Sequence, residues 1–466
     1  MDTAAQSFAT FATSLTVERI PGPVLESAKL HILDALGCGL AAHALDTAPA
    51  AREAMTETGS TGPATAIGVS HGLPPADAAL VNGVTCHALD YDDTHTGAVA
   101  HVSVAVLPAA LAVAQSEGTP GAGLLAAVVA GNEIVARLGM AVGSGFHARG
   151  FHPTAVCGVF GAAAAASRLQ LVDVTTVTNA LGIAGSMASG LLEFLADGSS
   201  TKRLHPGWAA HAAIIASRLA AHGATGPASV FEGRFGLYRA FVERDDIDAE
   251  ALTGELGERW ETPRIAFKPY PACHYVHASL DATAQALADT PVRIEDIEEI
   301  VALTTEAGVS LVLEPLADKH RPRSEYEAKF SLPYSIASLL VRGHVDVSTY
   351  TDEAIADPEV LAVAAKVRYE VKDYDTFPQA LPGGVRIHTR DGRTLEAELP
   401  YQRGGPENPM TAEQVQDKFQ TNARLALSAA DVEALEDAVM TLERQDDLRA
   451  FELLARAALR ETVAAA

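Results

Sequence analysis

Apolar residues recur every three to four positions over most of the first 220 residues, and that period predicts a succession of packed helices. Residues 6–15 and 23–44 form the first two. In the second, Leu30, Ile32, Leu33, Leu36 and Leu40 occupy most of the circumference, so burial nearly all round is expected, and Pro21 and Pro23 mark its start. Pro74-Pro75 opens a helix that runs to about His87. Further helices are predicted at 104–117, 120–142, 153–168, 173–187 and 206–222. Between them, Gly143, Gly145 and Gly150 set Phe151-His152-Pro153 on a tight turn, and residues 190–205 have the polar pattern of a loop.

After about residue 262 the pattern changes from period 3.6 towards period 2. Glu299 to Leu303 and Lys366 to Val371 alternate as strands, and Val385 to Thr389 and Thr394 to Leu399 flank Asp391-Gly392, a hairpin signal. Helices at about 275–288 and 325–342 interleave with these strands. From Thr411 the chain returns to short amphipathic helices, which are expected to pack on the first domain. The fold class expected is mainly α. A large all-helical domain spans residues 1–262 and is completed by 403–466; a smaller α+β domain spans 263–402.

Composition narrows the function classes. The 466 residues are 48% hydrophobic but only 6% aromatic, which suits close helix packing through small residues. Lys plus Arg is 34 and Asp plus Glu is 59, a formal charge of −25, so a global basic footprint for nucleic acid is absent. An anionic ligand would need a local positive pocket. Cys38, Cys86, Cys157 and Cys273 are far apart, with no CxxC, which argues against a zinc site or a disulfide framework. The start Met1-Asp2-Thr3-Ala4 lacks a signal-peptide pattern, and no uncharged apolar run reaches transmembrane length, although Leu124 to Gly131 is strongly apolar. A cytoplasmic protein with no membrane partner is expected.

The densest chemistry lies in Asp90-Tyr91-Asp92-Asp93-Thr94-His95 with His101 close behind, set between apolar helices. Polar groups so placed must pair, bind or react. A metal site and plain helix capping are the competing readings. The stretch has no His-Asp dipeptide and the chain has no HExxH. Gly68-Val69-Ser70-His71-Gly72 matches a nucleophile-elbow pattern, but Leu73-Pro74-Pro75 delays the helix such an elbow needs. Gly143-Ser144-Gly145 has the wrong spacing for a dinucleotide site. Other polar groups are scattered: His152, Lys202 and His205 before the 206–222 helix, Lys268 to His274 at the domain change, and Lys329 and Tyr334 on the 325–342 helix. Alone each has a bland reading; together they supply lysines for carboxylates and imidazoles for proton transfer.

Four blocks carry a family resemblance. They are His87-Ala88-Leu89-Asp90-Tyr91-Asp92-Asp93-Thr94-His95, Gly150-Phe151-His152-Pro153-Thr154, Thr201-Lys202-Arg203-Leu204-His205-Pro206-Gly207 and Lys268-Pro269-Tyr270-Pro271-Ala272-Cys273. In this order they resemble the MmgE/PrpD family, which includes 2-methylcitrate dehydratases, cis-aconitate decarboxylases and iminodisuccinate epimerases. The resemblance implies a helical domain with an α+β lid, a homodimer, and no metal or organic cofactor. It implies catalytic roles for Asp90, His101, His152 and Tyr334, and substrate contacts for Thr94, Lys202 and Lys268, with either Cys273 or His274 at a further pocket position.

The sequence also departs from the decarboxylase branch. Asp90 to His101 is one residue longer, His95 follows Thr94 directly, and Val102 stands where proline is common. The expected function is therefore a cofactor-independent lyase on a small di- or tricarboxylate, 2-methylcitrate dehydratase-like. Epimerase and cis-aconitate decarboxylase chemistry are the alternatives. A non-catalytic binding protein is disfavoured by the intact His101, His152, Lys202 and Lys268. In the expected mechanism the lysines clamp carboxylates, and His101 and His152, oriented by Asp90 and Thr94, act as base and acid. Asp92 and Asp93 are expected only to anchor the loop.

Overall fold

The computed structural model describes residues 2–244 and 246–458. The chain divides into two compact units. The first comprises residues 1–88, 92–266 and 411–466; the second comprises 89–91 and 267–410. The divisions thus fall at 266 and 410, four and eight residues beyond the expected domain ends at 262 and 402.

The first unit is helical. Its long elements are Ala4–Ser14, Gly22–Ala44, Pro75–His87, Ser103–Glu117, Gly121–Met140, Pro153–Leu169, Val174–Ala184 and Thr201–Ala221, joined by Ala412–Ala423 and Ala429–Met440 from the C-terminal stretch. Pro153–Leu169 is central and packs against Ser103–Glu117, Gly121–Met140 and Thr201–Ala221. Small residues allow close crossings. A Cβ on Gly83 would stand 2.6 Å from the Gly207 Cα, where Pro75–His87 crosses Thr201–Ala221. A Cβ on Gly161 would stand 2.5 Å from the Gly131 carbonyl oxygen. Methyl groups there would force the helices apart.

Gly22–Ala44 packs against Ala412–Ala423, where a Cβ on Gly37 would lie 3.1 Å from the Phe419 Cα. Beside this crossing the buried Asp34 carboxylate pairs with Lys418 Nζ at 2.6 Å. Burial pushes the Asp34 carboxyl up, to about 6, and Lys418 opposes the shift.

Gly121–Met140 contains the strongly apolar Leu124 to Gly131 run. It has the length and apolar composition of a membrane-crossing helix, yet 89% of its apolar window is buried inside the protein. Its two charged residues are held internally: Glu133 accepts from Thr262 N and Oγ1 at 2.7 Å, and Arg137 donates to the carbonyls of Gly254 and Arg259, also at 2.7 Å. This is a core helix.

The second unit is α+β. Its four strands, β1 (Ile297–Thr304), β2 (Val367–Val371), β3 (Gly383–Thr389) and β4 (Thr394–Leu399), form one sheet in the order β2-β1-β3-β4. Only the β1–β2 pair is parallel. The β3–β4 hairpin turns at Asp391-Gly392, where Gly392 takes φ +85°. The helix expected at 325–342 is two helices, Glu325–Lys329 and Leu332–Arg342. Phe330 ends the first, Ser331 caps the second by accepting from Tyr334 N, and Pro333 suits the first turn of the new helix.

Candidate active site

Several helix ends of the first unit converge. His87 is the last residue of Pro75–His87, His101 lies two residues before Ser103–Glu117, and His152 is the N-cap of Pro153–Leu169. Lys202 and His205 belong to the first turns of Thr201–Ala221. That helix begins five residues earlier than the sequence pattern suggests. Pro206 looks like a start signal but lies inside the helix, where it cannot donate to the Lys202 carbonyl. Three helix N-termini therefore face one region, and their partial positive charge favours an anion there.

The loop entering the site is held at both ends. Asp90 sits in the left-handed region at φ +54°, which aspartate tolerates. Asp93 accepts from Val102 N and Ser103 N at 3.2 Å and pairs with His31 Nδ1 at 2.9 Å. Burial alone would raise the Asp93 carboxyl, but these contacts win and hold it below the usual range. Thr94 exchanges backbone hydrogen bonds with Ala266, and His95 pairs with Glu261 at 3.3 Å. Asp93 and His95 are thus the anchors of the loop.

Asp92 is not an anchor but the centre of the site. It is fully buried, and its Oδ2 lies 2.9 Å from both His87 Nδ1 and His101 Nδ1. Burial by itself would raise its carboxyl, yet His101 and His87 outweigh that and hold it well below the usual range. Asp92, expected only to anchor the loop, thus holds His101 Nδ1. Thr94 Oγ1 adds a long contact of 3.4 Å to His101 Nδ1. With Nδ1 donating to Asp92, His101 presents Nε2 for chemistry.

A second chain of contacts starts at Thr154. Its hydroxyl oxygen accepts from His101 N at 2.9 Å and lies 3.1 Å from His152 Nε2. His152 Nδ1 lies 2.9 Å from His205 Nδ1, so a single proton is shared between those two nitrogens. The His101 and His152 rings are 6.1 Å apart. Burial lowers His87, His147 and His205 to about 4, and pushes His152 well below the usual imidazole range. Lys202 contributes to each of these shifts, which places its charge against the whole cluster. His205 also lines an open pocket of about 430 Å³ with Gly190, Leu191, Phe194 and Trp208.

Ring nitrogens of His87, His101 and His152 lie within 4.8 Å of one another. A shared cation would need each at about 2.0–2.1 Å. Both nitrogens of His152 are already engaged by Thr154 and His205, so this set is hydrogen-bonded rather than open.

The remaining expected residues belong to the second unit. Lys268 Nζ donates to the Asp90 carbonyl at 2.8 Å and to Asp90 Oδ1 at 2.9 Å, a buried pair. Cys273 N donates to the Lys329 carbonyl, and the His274 ring lies 4.7 Å from that of His277. Tyr334, expected as a catalytic acid, has its hydroxyl engaged inside the second unit. It is fully buried, donates its hydroxyl to the Thr349 carbonyl at 2.7 Å, and packs near Tyr350.

The sequence reading left out His87, Asp92, His147 and Thr154 as participants. His87, Asp92 and Thr154 all lie inside the motif blocks, but spacing does not say which of three neighbouring buried aspartates pairs with His87.

Comparison with known proteins matches the MmgE/PrpD N-terminal domain over residues 6–250 and the MmgE/PrpD C-terminal domain over residues 270–444. The chain is 32% identical over 456 residues to a cis-aconitate decarboxylase of Homo sapiens, covering 95% of this chain and 92% of that protein. It is 28% identical to a cis-aconitate decarboxylase of Aspergillus terreus, covering 94% and 93%. A 2-methylcitrate dehydratase-like protein of Aspergillus oryzae aligns over 194 residues at 27% identity, 39% of this chain.

Proposed function

Because the chain belongs to the MmgE/PrpD family, we propose that it is a lyase acting on a small di- or tricarboxylate through proton transfer at a carbon next to a carboxylate. The observation that carries this reading is the buried Asp92–His101 pair facing His152, with Lys202 and three helix N-termini supplying the positive field. No serine or cysteine is activated in that cluster; its chemistry is that of proton carriers and anion binders.

Decarboxylation of a cis-aconitate-like substrate is the first choice. The relatives so named align over nearly the whole chain, whereas the dehydratase-like relative aligns over 39% of it. This reverses the order reached from motif spacing. In a decarboxylation, the C–C bond to one carboxylate breaks, its electron pair stays on carbon, and CO₂ leaves. The carbanion then takes a proton from His101 or His152. Lys202 holds a remaining carboxylate and stabilises the developing charge. Dehydration is the second reading: one imidazole takes the carbon proton and the other protonates the departing hydroxyl.

Proton NMR in deuterated water on a panel including cis-aconitate and 2-methylcitrate separates these. Decarboxylation gives CO₂ and a product carrying one new deuteron. Dehydration gives an alkene, and epimerisation washes deuterium into recovered substrate. His101→Ala and His152→Ala should abolish turnover with the fold intact. Turnover of none of the panel, or full activity in both variants, would overturn the proposal. Lys202→Ala should raise KM strongly.

A further inference from the structure

Asp92 is a buried carboxylate with no lysine or arginine paired to it among the described residues. Its charge is met by two imidazoles. His101 donates Nδ1–H to Oδ2 at 2.9 Å, and His87 Nδ1 stands 3.0 Å from Oδ1 and 2.9 Å from Oδ2. The two rings meet edge to face, with centroids 4.6 Å apart. His87 is 2% exposed, and its other nitrogen, Nε2, has no hydrogen-bond partner among the described residues. A bare lone pair in that position is tolerable. A bare N⁺–H donor, buried beside Lys202, would not be.

Two consequences follow from this geometry. His87 is locked as the neutral Nδ1–H tautomer, because Asp92 takes that proton and nothing accepts one at Nε2. Its hydrogen bond also competes with that of His101 for the same carboxylate oxygen. We propose that His87 is a positioning residue, a neutral donor at working pH that holds Asp92 in place and weakens its pull on a protonated His101, so setting the pH at which His101 exchanges its proton. The inference rests on the proton-transfer reading above. The titratable groups around His87, Asp92 and His101 include Asp93, Cys38, Cys86, His147, His152, Lys202 and His205. Burial is the main force keeping His87 uncharged, with Lys202 and His101 acting in the same direction.

The test uses two substitutions of opposite design. In His87→Asn the amide Nδ2 stands where the ring Nδ1 stood and keeps the donor. His87→Leu removes it. The pH midpoint of the kcat/KM limb governed by His101 should stay in place for His87→Asn. For His87→Leu it should rise by about one unit, a tenfold change in proton affinity. Equal midpoints in wild type and His87→Leu, or equal displacement in both variants, would overturn the proposal. A direct measurement needs neither substrate nor the leucine variant. Imidazole ¹⁵N shifts of the wild-type protein should report His87 as neutral Nδ1–H from pH 5 to 9. An Nε2–H tautomer, or protonation near pH 7, would overturn the proposal even if turnover chemistry is of another kind. A correct His87 tautomer with no turnover of any polycarboxylate would instead fault the functional reading alone.

Discussion

Asp92→Asn is the sharpest perturbation of this site. The side chain keeps its size, but one carboxylate that accepts from two Nδ1–H groups at 2.9 Å becomes an amide with one acceptor and one donor. One ring must lose its hydrogen bond or adopt the other tautomer. When His101 is protonated during turnover, the lost charge-assisted bond costs about 1.5–3 kcal/mol. At about 1.4 kcal/mol per decade that is roughly 10- to 150-fold in kcat. If the ring that changes tautomer is His101, the loss reaches the order of 10⁴-fold seen when a triad aspartate is neutralised. KM should change little, because Asp92 is fully buried behind the His87 and His101 rings. Steady-state kinetics beside an Asp90→Asn control decide the matter, with circular dichroism to confirm folding. If Asp92→Asn kept kcat within threefold while Asp90→Asn lost more than a hundredfold, the orienting carboxylate would be Asp90 and the reasoning would be wrong.

Acid should weaken the fold before it reaches the carboxylates. His87, His147 and His205 stand at about 4 in the folded chain and His152 lower still, whereas unfolded imidazoles bind protons at about 6.5. Between those values the unfolded state holds more protons, so stability is full above pH 6.5 and falls towards pH 4, by on the order of 2–3 kcal/mol per fully buried ring. Asp34, raised to about 6, and Glu133, also raised by burial, act in the opposite sense, but His43 and His277 are lowered as well, so six imidazoles stand against two carboxyls; a urea midpoint unchanged from pH 7 to pH 5 would contradict this. Tyr334→Phe should leave turnover within a few-fold and lower stability by about 1 kcal/mol, the loss of one buried hydrogen bond, and a hundredfold fall in kcat would restore Tyr334 as a catalytic acid. Gly207→Ala adds a Cβ 2.5 Å from the Leu80 carbonyl oxygen, so it should destabilise by about 1–3 kcal/mol and reduce activity by displacing Lys202 and His205; thermal melts and kinetics read both.

The helices were legible because their apolar faces repeat cleanly, and the strands because 366–371 and 385–399 alternate around Asp391-Gly392. The site was legible as a set of blocks but not as a geometry. Three aspartates within four residues cannot be ranked by spacing: a single left-handed residue, Asp90, redirects the chain so that Asp92 turns towards the imidazoles and Asp93 caps the next helix. His87 reads as the last residue of a buried apolar helix, and only its neighbours across the fold reveal its contact with Asp92. Pro206 masked the true start of its helix, because a proline costs one hydrogen bond that tertiary packing can outweigh. Tyr334 shows the reverse case, a residue in a promising position whose hydroxyl is held inside the core.

The pairing of Asp34 with Lys418 bears on the order of assembly. During synthesis residue 34 emerges almost 400 residues before its cation, and the whole of 267–410 is made in between. Until Lys418 arrives, the nascent helical unit has a carboxyl group that burial keeps protonated or a helix that stays open on that face. The early helices therefore wait, partly exposed, for the last stretch of chain. A chain stopped at residue 410 would lack Lys418 and Phe419, leaving the face around Gly37 uncovered and apt to be held by chaperones or to aggregate. Lys418→Met would reproduce that state in a full-length chain, and its yield on refolding reports how much the late ion pair contributes to closing the unit.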